Sequence, residues 1–238
     1  MNLDKLELLV QGSSKKLFAT NRPSYAILEF TDEAGNPRES RKTSFEGKGE
    51  INCGVSSFLF QYLENYHVPT HFVERQSNTD MAVRRVDMFD IKAIVYNVAT
   101  GEFARRFRLD DGRPLDYPVV EYFLKDAALN NPMVNESHAV ALGYARSDDL
   151  RTMQRIATKT NAVLKSLFER RGLILVEFEL EFGDAGDHLC IGDELTADTC
   201  RVWDRKTNRK LDRDRALQDQ AGVERAYREL LERLTSAA

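Results

Sequence analysis

The chain has 238 residues, of which 42% are hydrophobic and 30% charged, and its formal net charge is −4. This length is enough for one large domain or two lobes with a well-buried core. The slightly acidic charge gives no reason to expect nucleic acid or an anionic membrane as a partner, and no apolar run approaches the length that a bilayer requires. Because the N-terminus lacks the pattern of a signal peptide, we expect a cytoplasmic protein.

The cysteines and histidines do not predict a metal centre. The three cysteines are Cys53, Cys190 and Cys200. They show no CxxC spacing, so we expect reduced thiols and neither a zinc site nor a disulfide framework. His67 and His71 lie four residues apart, but Pro69 between them opposes a helix that would present both rings to one ion.

The N-terminal part is predicted to be an antiparallel meander. Its three strand candidates are residues 7–11, 16–20 and 25–30. The loop between the first two contains Gly12, Ser13, Ser14 and Lys15. Backbone N–H groups and one ammonium in such a loop can bind phosphates, although an ordinary turn is the alternative. Residues 31–44 are rich in Gly, Pro, Asn and Ser, which indicates a loop that could close over a ligand.

Helical and extended patterns then divide the chain near residue 90. Residues 49–66 repeat apolar side chains at helical spacing, which predicts a helix packed on the sheet. Strand candidates follow at residues 81–86 and 91–98. We therefore expect a small N-terminal lobe, residues 1–90, and a larger lobe, residues 91–238.

The larger lobe has a basic segment and two predicted helices. Arg105, Arg106 and Arg108 either bind an anion or form a solvated basic turn. A long helix is predicted over residues 148–171, between a capping Ser147 and Gly172. A final amphipathic helix, residues 218–234, would serve packing or a partner subunit, so a homo-oligomer is possible.

The most informative pattern lies at residues 173–204. Glu177, Glu179 and Glu181 alternate with apolar residues, as in a half-buried strand. The sequence GDAG at residues 183–186 predicts a turn, and the returning strand brings Asp193 and Glu194 alongside the glutamates. Nothing basic lies inside this hairpin. These elements predict an α+β fold with antiparallel sheets.

Two interpretations of the acidic hairpin are open. One is a solvated sheet face. The other is a cation site, because glutamates two apart on a strand lie roughly 6–7 Å from each other and repel one another mildly. Oxygen ligands on a strand pair suit magnesium that carries a nucleoside triphosphate, because the ion completes its octahedron with waters and phosphate oxygens. This pattern therefore favours a Mg-ATP site.

The strings LVEFELEFG and GDELTADTCRVWD resemble the signature of the SAICAR synthetase family, which joins aspartate to a carboxyaminoimidazole ribonucleotide at the expense of ATP. The resemblance extends through FEGKG, VPTHFVER, NPMVNES and WDRKTNRKLDRDR to essentially the whole chain. It implies a two-lobed, ATP-grasp or kinase-like architecture with antiparallel sheets and packed helices. It also implies ATP and Mg²⁺ as cofactors, and an amide bond formed through an acyl phosphate.

The resemblance also implies roles for particular residues. The family's ATP loop reads GKAK, so Gly12, Ser13, Ser14 and Lys15 are expected to bind the nucleotide, with Lys15 matching the second lysine. The expected metal ligands are Glu181 and Asp193. The expected catalytic residues are Glu177, Glu179 and Arg201, and the expected substrate-binding residues are Tyr96, Glu102, Asp198 and Arg201.

The departures from the family concentrate on the acceptor side. The family's VVRN-x-AAGS is IVYNVATGE here, so Tyr96 replaces an arginine and Glu102 a serine that receive the acceptor phosphate. The family's DFK is EFE, which puts Glu179 in place of a lysine. These changes make the matched positions about four charges more negative, and at an effective dielectric near 20 each close pair changes by up to about 4 kcal/mol. A phosphate is therefore expected to bind poorly there.

Three functions follow from this mixture. The first is an ATP- and Mg-dependent ligase that joins an aspartate-like amine to a heterocyclic carboxylate lacking the phosphate, in a specialised pathway. The second is an ordinary SAICAR synthetase of purine biosynthesis, with Arg105 and Arg106 holding the phosphate. The third is a catalytically inactive ATP-binding homologue. All three predict small-molecule partners.

Overall fold

The computed structural model describes residues 2–33, 44–217 and 219–236. Over these ranges the chain forms two antiparallel sheets with helices packed against them. Within the described residues, no helix combines the length and the apolar character needed to cross a membrane. The α+β prediction with antiparallel sheets is confirmed.

The first sheet is built from the N-terminal part of the chain. Its strands are β1 Lys5–Gln11, β2 Lys15–Thr20, β3 Tyr25–Phe30, β4 Phe72–Arg75 and β5 Asp80–Arg84, in the order β1-β2-β3-β5-β4. Helix α1, Lys48–Asn65, connects β3 to β4. Its first turn lies directly on β3, since a Cβ at Gly49 would come within 2.6 Å of the Phe30 carbonyl oxygen.

The second sheet contains the acidic hairpin. Its strands are β6 Asp87–Ala99, β7 Arg113–Leu124, β8 Met133–Val134, β9 Leu173–Asp184, β10 Leu189–Gly192 and β11 Cys200–Asp204. The order is β10-β9-β6-β7-β8, and β11 pairs with the other half of β9. Strand β9 is therefore bordered by β6 on one side and by β10 and then β11 on the other.

The second part of the chain also contains helices. They are α2 Gly101–Phe107, α3 Glu136–Ala141, α4 Ser147–Arg170 and α5 Val223–Thr235, with 3₁₀ turns at Arg213–Leu217 and Gln220–Gly222. Helix α4 packs on the second sheet, whereas α5 packs on α1. The N-cap of α4 is Arg146, one residue before the predicted Ser147, because Asp149 accepts from the Arg146 backbone N–H at 3.1 Å. One continuous hydrophobic cluster joins residues of both sheets, α1, α4 and α5.

Several sequence-predicted boundaries differ from the structure. The basic segment after β6 is helix α2, not a turn. Strand β9 extends past Gly183 to Asp184, so the hairpin turn is shifted toward His188, whose carbonyl accepts from the Ala185 N–H at 3.0 Å. Residues 34–43 of the expected ligand-closing loop lie outside the described residues. The last strand of the first sheet ends at Arg84 and the first strand of the second sheet begins at Asp87. We propose this point as the boundary of the two lobes.

Candidate functional site

The three glutamates of β9 form a row on one face of the second sheet. Each has a direct neighbour on β6, in the pairs Glu181–Lys92, Glu179–Ile94 and Glu177–Tyr96. On the opposite side of β9, Gly192 of β10 lies beside Glu181, and Arg201 of β11 lies beside Glu177. Because directly opposed residues share a face, the row runs from the β10 end, at Glu181, to the β11 end, at Glu177.

Every glutamate of this row is paired with a basic side chain. Lys125 donates to Glu181 at 2.8 Å, Lys92 is bonded to Glu179, and Arg201 lies 3.2 Å from Glu177. The expectation of an acidic face without cations is therefore wrong. It failed because the two lysines are 56 and 87 residues away in sequence, outside the hairpin on which the expectation rested.

At the β10 end, Lys15 joins the two sheets. The turn between β1 and β2 is closed by a hydrogen bond from the Gly12 N–H to the Lys15 carbonyl, at 2.8 Å. The Lys15 ammonium then donates to Asp193 at 2.7 Å and is also bonded to Glu194. Asp193 has a left-handed backbone with φ 57°, a conformation that a non-glycine residue holds at an energetic cost. The nucleotide loop predicted from sequence thus faces the predicted metal ligands.

The ionisation of this cluster follows from burial and mutual charge. Burial lowers the pKa of Lys15, but Asp193 and Glu194 more than compensate and raise it well above its ordinary value. Burial opposes ionisation of Asp193 too, yet Lys15 holds its pKa below the usual range. Burial and the nearby Asp193 raise the pKa of Glu181. One strongly ionised carboxylate therefore lies beside one that is more easily protonated.

The donor set at Glu181 and Asp193 fits magnesium bound through a nucleotide. No group of three or more His, Cys, Asp or Glu side chains arranged for a metal occurs in the described part of the chain. Magnesium needs only one or two carboxylates when phosphate oxygens complete its coordination. The repulsion that raises the pKa of Glu181 beside Asp193 is the kind of interaction that a divalent cation relieves.

At the β11 end, the row opens into a cavity of about 770 Å³. Glu177, Glu179, Arg201, Tyr96 and Glu102 all line it. Burial raises the pKa of Glu177. Burial would raise that of Glu179 as well, but Lys92 holds its pKa below the ordinary value. Glu179 and Arg201 are therefore ionised. Glu177, which lies on β9 between β6 and β11, gains a proton more readily than Glu179.

Tyr96 lies in the wall of the cavity and packs against α2. Its side chain is 6% exposed, and its ring stacks on Phe103 of α2 with centroids 4.5 Å apart and an interplanar angle of 27°. One ring face is thus occupied by the protein. Burial, assisted by Glu177, raises the pKa of the Tyr96 hydroxyl above its ordinary value, so the group is a neutral donor at the cavity wall.

The cavity as a whole is not acidic. Its basic lining residues are Arg105, Arg106, Arg108, Arg201, Lys210 and Arg213. Its acidic lining residues are Glu102, Asp111, Glu177, Glu179 and Asp214. Six basic against five acidic side chains line it, and they include Arg105 and Arg106, the two arginines that the ordinary synthetase alternative requires. The matched motif positions are more acidic than in the family, but α2 and the segment after β11 bring further cations.

Two of the remaining predicted residues lie apart from the row. Glu102 is on the surface of α2, where its largely exposed side chain accepts from Arg105 at 2.8 Å. Asp198 is held by other parts of the protein: Tyr227 donates to it at 2.7 Å, Asn52 at 2.8 Å, and the buried Lys48 ammonium lies 2.8 Å away. With both oxygens engaged, Asp198 ties α1 and α5 to the loop before β11.

Sequence reasoning missed Lys92, Lys125 and Arg213. A signal for Lys92 was present, because it interrupts the apolar strand β6 and lies two and four residues before Ile94 and Tyr96. Side chains two apart on a strand share a face, so all three lie on the face of Glu177 and Glu179. Lys125 directly follows β7 and carried no comparable pattern.

Comparison with known proteins gives full-length similarities. Residues 8–234 match the family model described as SAICAR synthetase. A phosphoribosylaminoimidazole-succinocarboxamide synthase of Chlorobium limicola is 42% identical over 98% of this chain and 98% of its own length. The crystal structure of the synthase of that name from Ehrlichia chaffeensis superposes with a TM-score of 0.92, at 33% identity, covering 98% of this chain and 100% of that one. A SAICAR synthetase in complex with ADP gives a TM-score of 0.90 at 36% identity, over 96% and 97% of the two chains.

Proposed function

The chain belongs to the SAICAR synthetase family, and we propose that it is an ATP- and Mg²⁺-dependent ligase that forms an amide between an amino acid amine and a carboxylate held in the 770 Å³ cavity. The observation that carries this proposal is the continuous row from Lys15 and Asp193 to Glu177 and Arg201. It places a nucleotide end, at Glu181, and an acceptor end, at Glu177, on one face of the sheet. The two glutamates are four residues apart along β9.

The nucleotide end uses Lys15, Lys125, Glu181 and Asp193. In this proposal the two ammonium groups bind phosphate oxygens, and the two carboxylates hold the magnesium. Bound magnesium supplies neutralisation of the triphosphate charge. The relative solved with ADP supports a nucleotide in this family, and the β1–β2 turn of the first sheet presents Lys15 to this end.

At the acceptor end, Arg201 orients the acceptor carboxylate. One of its oxygens attacks the terminal phosphorus of ATP, the bond from that phosphorus to the ADP oxygen breaks, and an acyl phosphate forms. The amine nitrogen then attacks the acyl carbon, and the carbon–oxygen bond to phosphate breaks. Glu177 is placed to accept the amine proton, because its burial and raised pKa bring it closer to the working range of a general base.

Two acceptors are in competition. The names of the relatives favour the ordinary reaction of SAICAR synthetase, and the six basic residues of the cavity are compatible with a phosphorylated acceptor. That ordinary reaction is our first candidate. The comparisons give no support to an acceptor without phosphate. One observation still favours it as a second candidate: Tyr96 and Glu102 occupy the positions at which the resemblance places phosphate-binding residues.

The test uses one heterocycle in two forms. The protein is assayed with Mg-ATP, aspartate and the carboxyaminoimidazole as its ribonucleotide, and then as the nucleoside without phosphate. The ordinary reaction predicts a kcat/KM of about 10⁴ M⁻¹s⁻¹ or more for the ribonucleotide and at least a tenfold lower value for the nucleoside. The reverse preference identifies the phosphate-free acceptor. If ADP forms with neither acceptor while Mg-ATP still binds, the chain is an inactive homologue.

The acyl phosphate route has its own isotope test. Oxygen-18 in the acceptor carboxylate must appear in the released phosphate, because the attacking oxygen leaves with the phosphorus. A labelled amide with unlabelled phosphate would exclude this route. The double variant Glu181→Gln with Asp193→Asn should abolish ADP formation, while Asp187→Asn, which alters a largely exposed acid of the β9–β10 turn, should not.

A further inference from the structure

We propose that Lys92 is a catalytic residue whose ammonium binds the phosphoryl group as it passes from the nucleotide to the acceptor carboxylate. The inference rests on the proposed ligase function and assigns a role to a residue that no motif pointed to. Lys92 is on β6, in the interior of the second sheet, and its side chain is 21% exposed.

The position of Lys92 is defined by the register of β6 and β9. Its backbone lies opposite Glu181, at the nucleotide end of the row. Its ammonium, however, is bonded to Glu179, one residue pair closer to the acceptor end. The Lys92 side chain therefore extends along the sheet over the distance from Glu181 to Glu179, which is roughly 6–7 Å for residues two apart on a strand. A group that is transferred from the nucleotide end to the acceptor end has to pass between these two glutamates.

The electrostatics of that interval require a cation. A phosphoryl group in transfer carries negative charge on its equatorial oxygens, and the carboxylate it meets between the two ends is Glu179. Without compensation, Glu179 would repel both the phosphoryl group and the incoming acceptor carboxylate. An ammonium has three donor hydrogens, and among the described residues Lys92 donates one of them, to Glu179. Lys92 can therefore keep Glu179 neutralised and still bind phosphoryl oxygens.

The neighbouring cations lie at the two ends of the row or in the cavity wall. Lys15 is held by Asp193 and Glu194, and Lys125 by Glu181, all at the nucleotide end. Arg201 is held between Glu177 and Asp214 at the acceptor end. Arg213 is 3.7 Å from Glu179 and belongs to the cavity wall. Lys92 is the cation whose backbone lies opposite Glu181 and whose ammonium lies at Glu179, between the two ends.

The bond changes in this step balance without a further reactant. An acceptor carboxylate oxygen forms a bond to the terminal phosphorus, and the bond from that phosphorus to the leaving ADP oxygen breaks. No proton is transferred to or from Lys92, which remains an ammonium throughout. Its ammonium stabilises the phosphoryl group more strongly during transfer than in bound ATP. Removal of Lys92 should therefore lower kcat and leave the KM for ATP nearly unchanged.

The experiment measures single-turnover acyl phosphate formation and steady-state kinetics for Lys92→Met. We expect kcat to fall by about 10²–10³-fold, the loss typical of removing one preorganised donor to a developing charge, with the KM for ATP within about threefold. Lys92→Arg should retain more activity than Lys92→Met. The matched control is Lys5→Met, which removes a lysine that is paired with Glu29 and Asp80 in the first sheet and should leave kcat unchanged.

A purely structural ion pair makes a different prediction. The double variant Lys92→Met with Glu179→Gln removes both charges, and Glu179→Gln alone is its reference because Glu179 lines the cavity. A structural role predicts that thermal stability recovers and that kcat returns to the value of Glu179→Gln alone, whereas the catalytic role predicts that stability recovers and kcat stays well below that value. A double-variant kcat equal to that of Glu179→Gln alone, or a Lys92→Met kcat within threefold of the parent, overturns the proposal while the ligase function stands. A parent protein without acceptor-dependent ADP formation overturns both.

Discussion

The contact between Lys15 and the β10 end predicts a large effect of its removal on stability. Lys15→Met leaves Asp193 and Glu194 without their shared ammonium, and the Glu194 side chain is buried while that of Asp193 is 27% exposed. Breaking a buried pair by removing one partner costs about 3–5 kcal/mol. For a chain of this size, about 1 kcal/mol lowers the melting temperature by 2–4 °C, so we expect a decrease of roughly 6–20 °C at pH 7.

Magnesium should reverse part of this loss. A divalent cation can take the place of the ammonium between the carboxylates, and a ligand that binds only the folded state raises its stability. The assay is differential scanning calorimetry of parent and Lys15→Met protein, each with and without Mg²⁺. The shift caused by Mg²⁺ is expected to be larger in the variant.

Lys16→Met provides the matched control. Lys16 is the next residue on β2 and points to the other face of the strand, so its removal should change the melting temperature by only about 1–2 °C, as is usual for a surface substitution. If Lys15→Met melts as the control does, with no added response to Mg²⁺, then Lys15 does not neutralise the cluster and its assignment to the nucleotide end is wrong.

Two further predictions concern packing and pH. Gly49→Ala should lower the free energy of unfolding in a urea titration by about 1–3 kcal/mol, because the new Cβ would come within 2.6 Å of the Phe30 carbonyl oxygen. The control is Gly12→Ala, whose new Cβ would meet nothing closer than 3.5 Å and which should be near neutral in the same titration. Burial, with the neighbouring Asp214, raises the pKa of Asp212 to about 7. Its native carboxyl therefore retains a proton that the unfolded chain releases near pH 4, so its contribution to stability should fall as pH rises from about 4 to about 7. A carbon-13 NMR titration of the Asp carboxyls that finds no such group above pH 5 would contradict this assignment.

Local patterns were sufficient to predict the elements that form the row. The alternation of Glu177, Glu179 and Glu181 gave both the strand and its polar face, because a period of two fixes which side chains share a face. The α1 and α4 helices were predicted within one residue at each end, since long apolar stripes at helical spacing are strong signals.

Contacts between distant segments could not be predicted in this way. Lys92, Lys125 and Lys15 reach the acidic residues from 87, 56 and 178 positions away, and nothing in a local pattern specifies which lysine meets which carboxylate. Helix α2 was missed because seven residues give less than two turns. Its Phe103 and Phe107, four residues apart and with ring centroids 5.0 Å from each other, were the available signal for a helix.

The position of Tyr96 leads to the sharpest test of acceptor choice. Its ring is buried against Phe103 at 4.5 Å, between Glu177 and Glu121, both of which act to raise the pKa of its hydroxyl. An arginine at this position would find carboxylates on both sides and add one positive charge to the cavity. Glu102→Ser would remove a negative charge and release Arg105 from its 2.8 Å pair.

The double variant Tyr96→Arg with Glu102→Ser should therefore favour a phosphorylated acceptor. Two added units of positive charge, reduced by screening to about 1.4 kcal/mol or more, correspond to at least a tenfold rise in kcat/KM for the ribonucleotide relative to the nucleoside. Tyr96→Phe is the control, because it keeps the stacked ring and removes only the hydroxyl. If the double variant folds and its preference between ribonucleotide and nucleoside is unchanged, these two positions do not contact the acceptor phosphate. The departures at Tyr96 and Glu102 would then carry no information about the substrate, and the ordinary synthetase reaction would be left without a competitor.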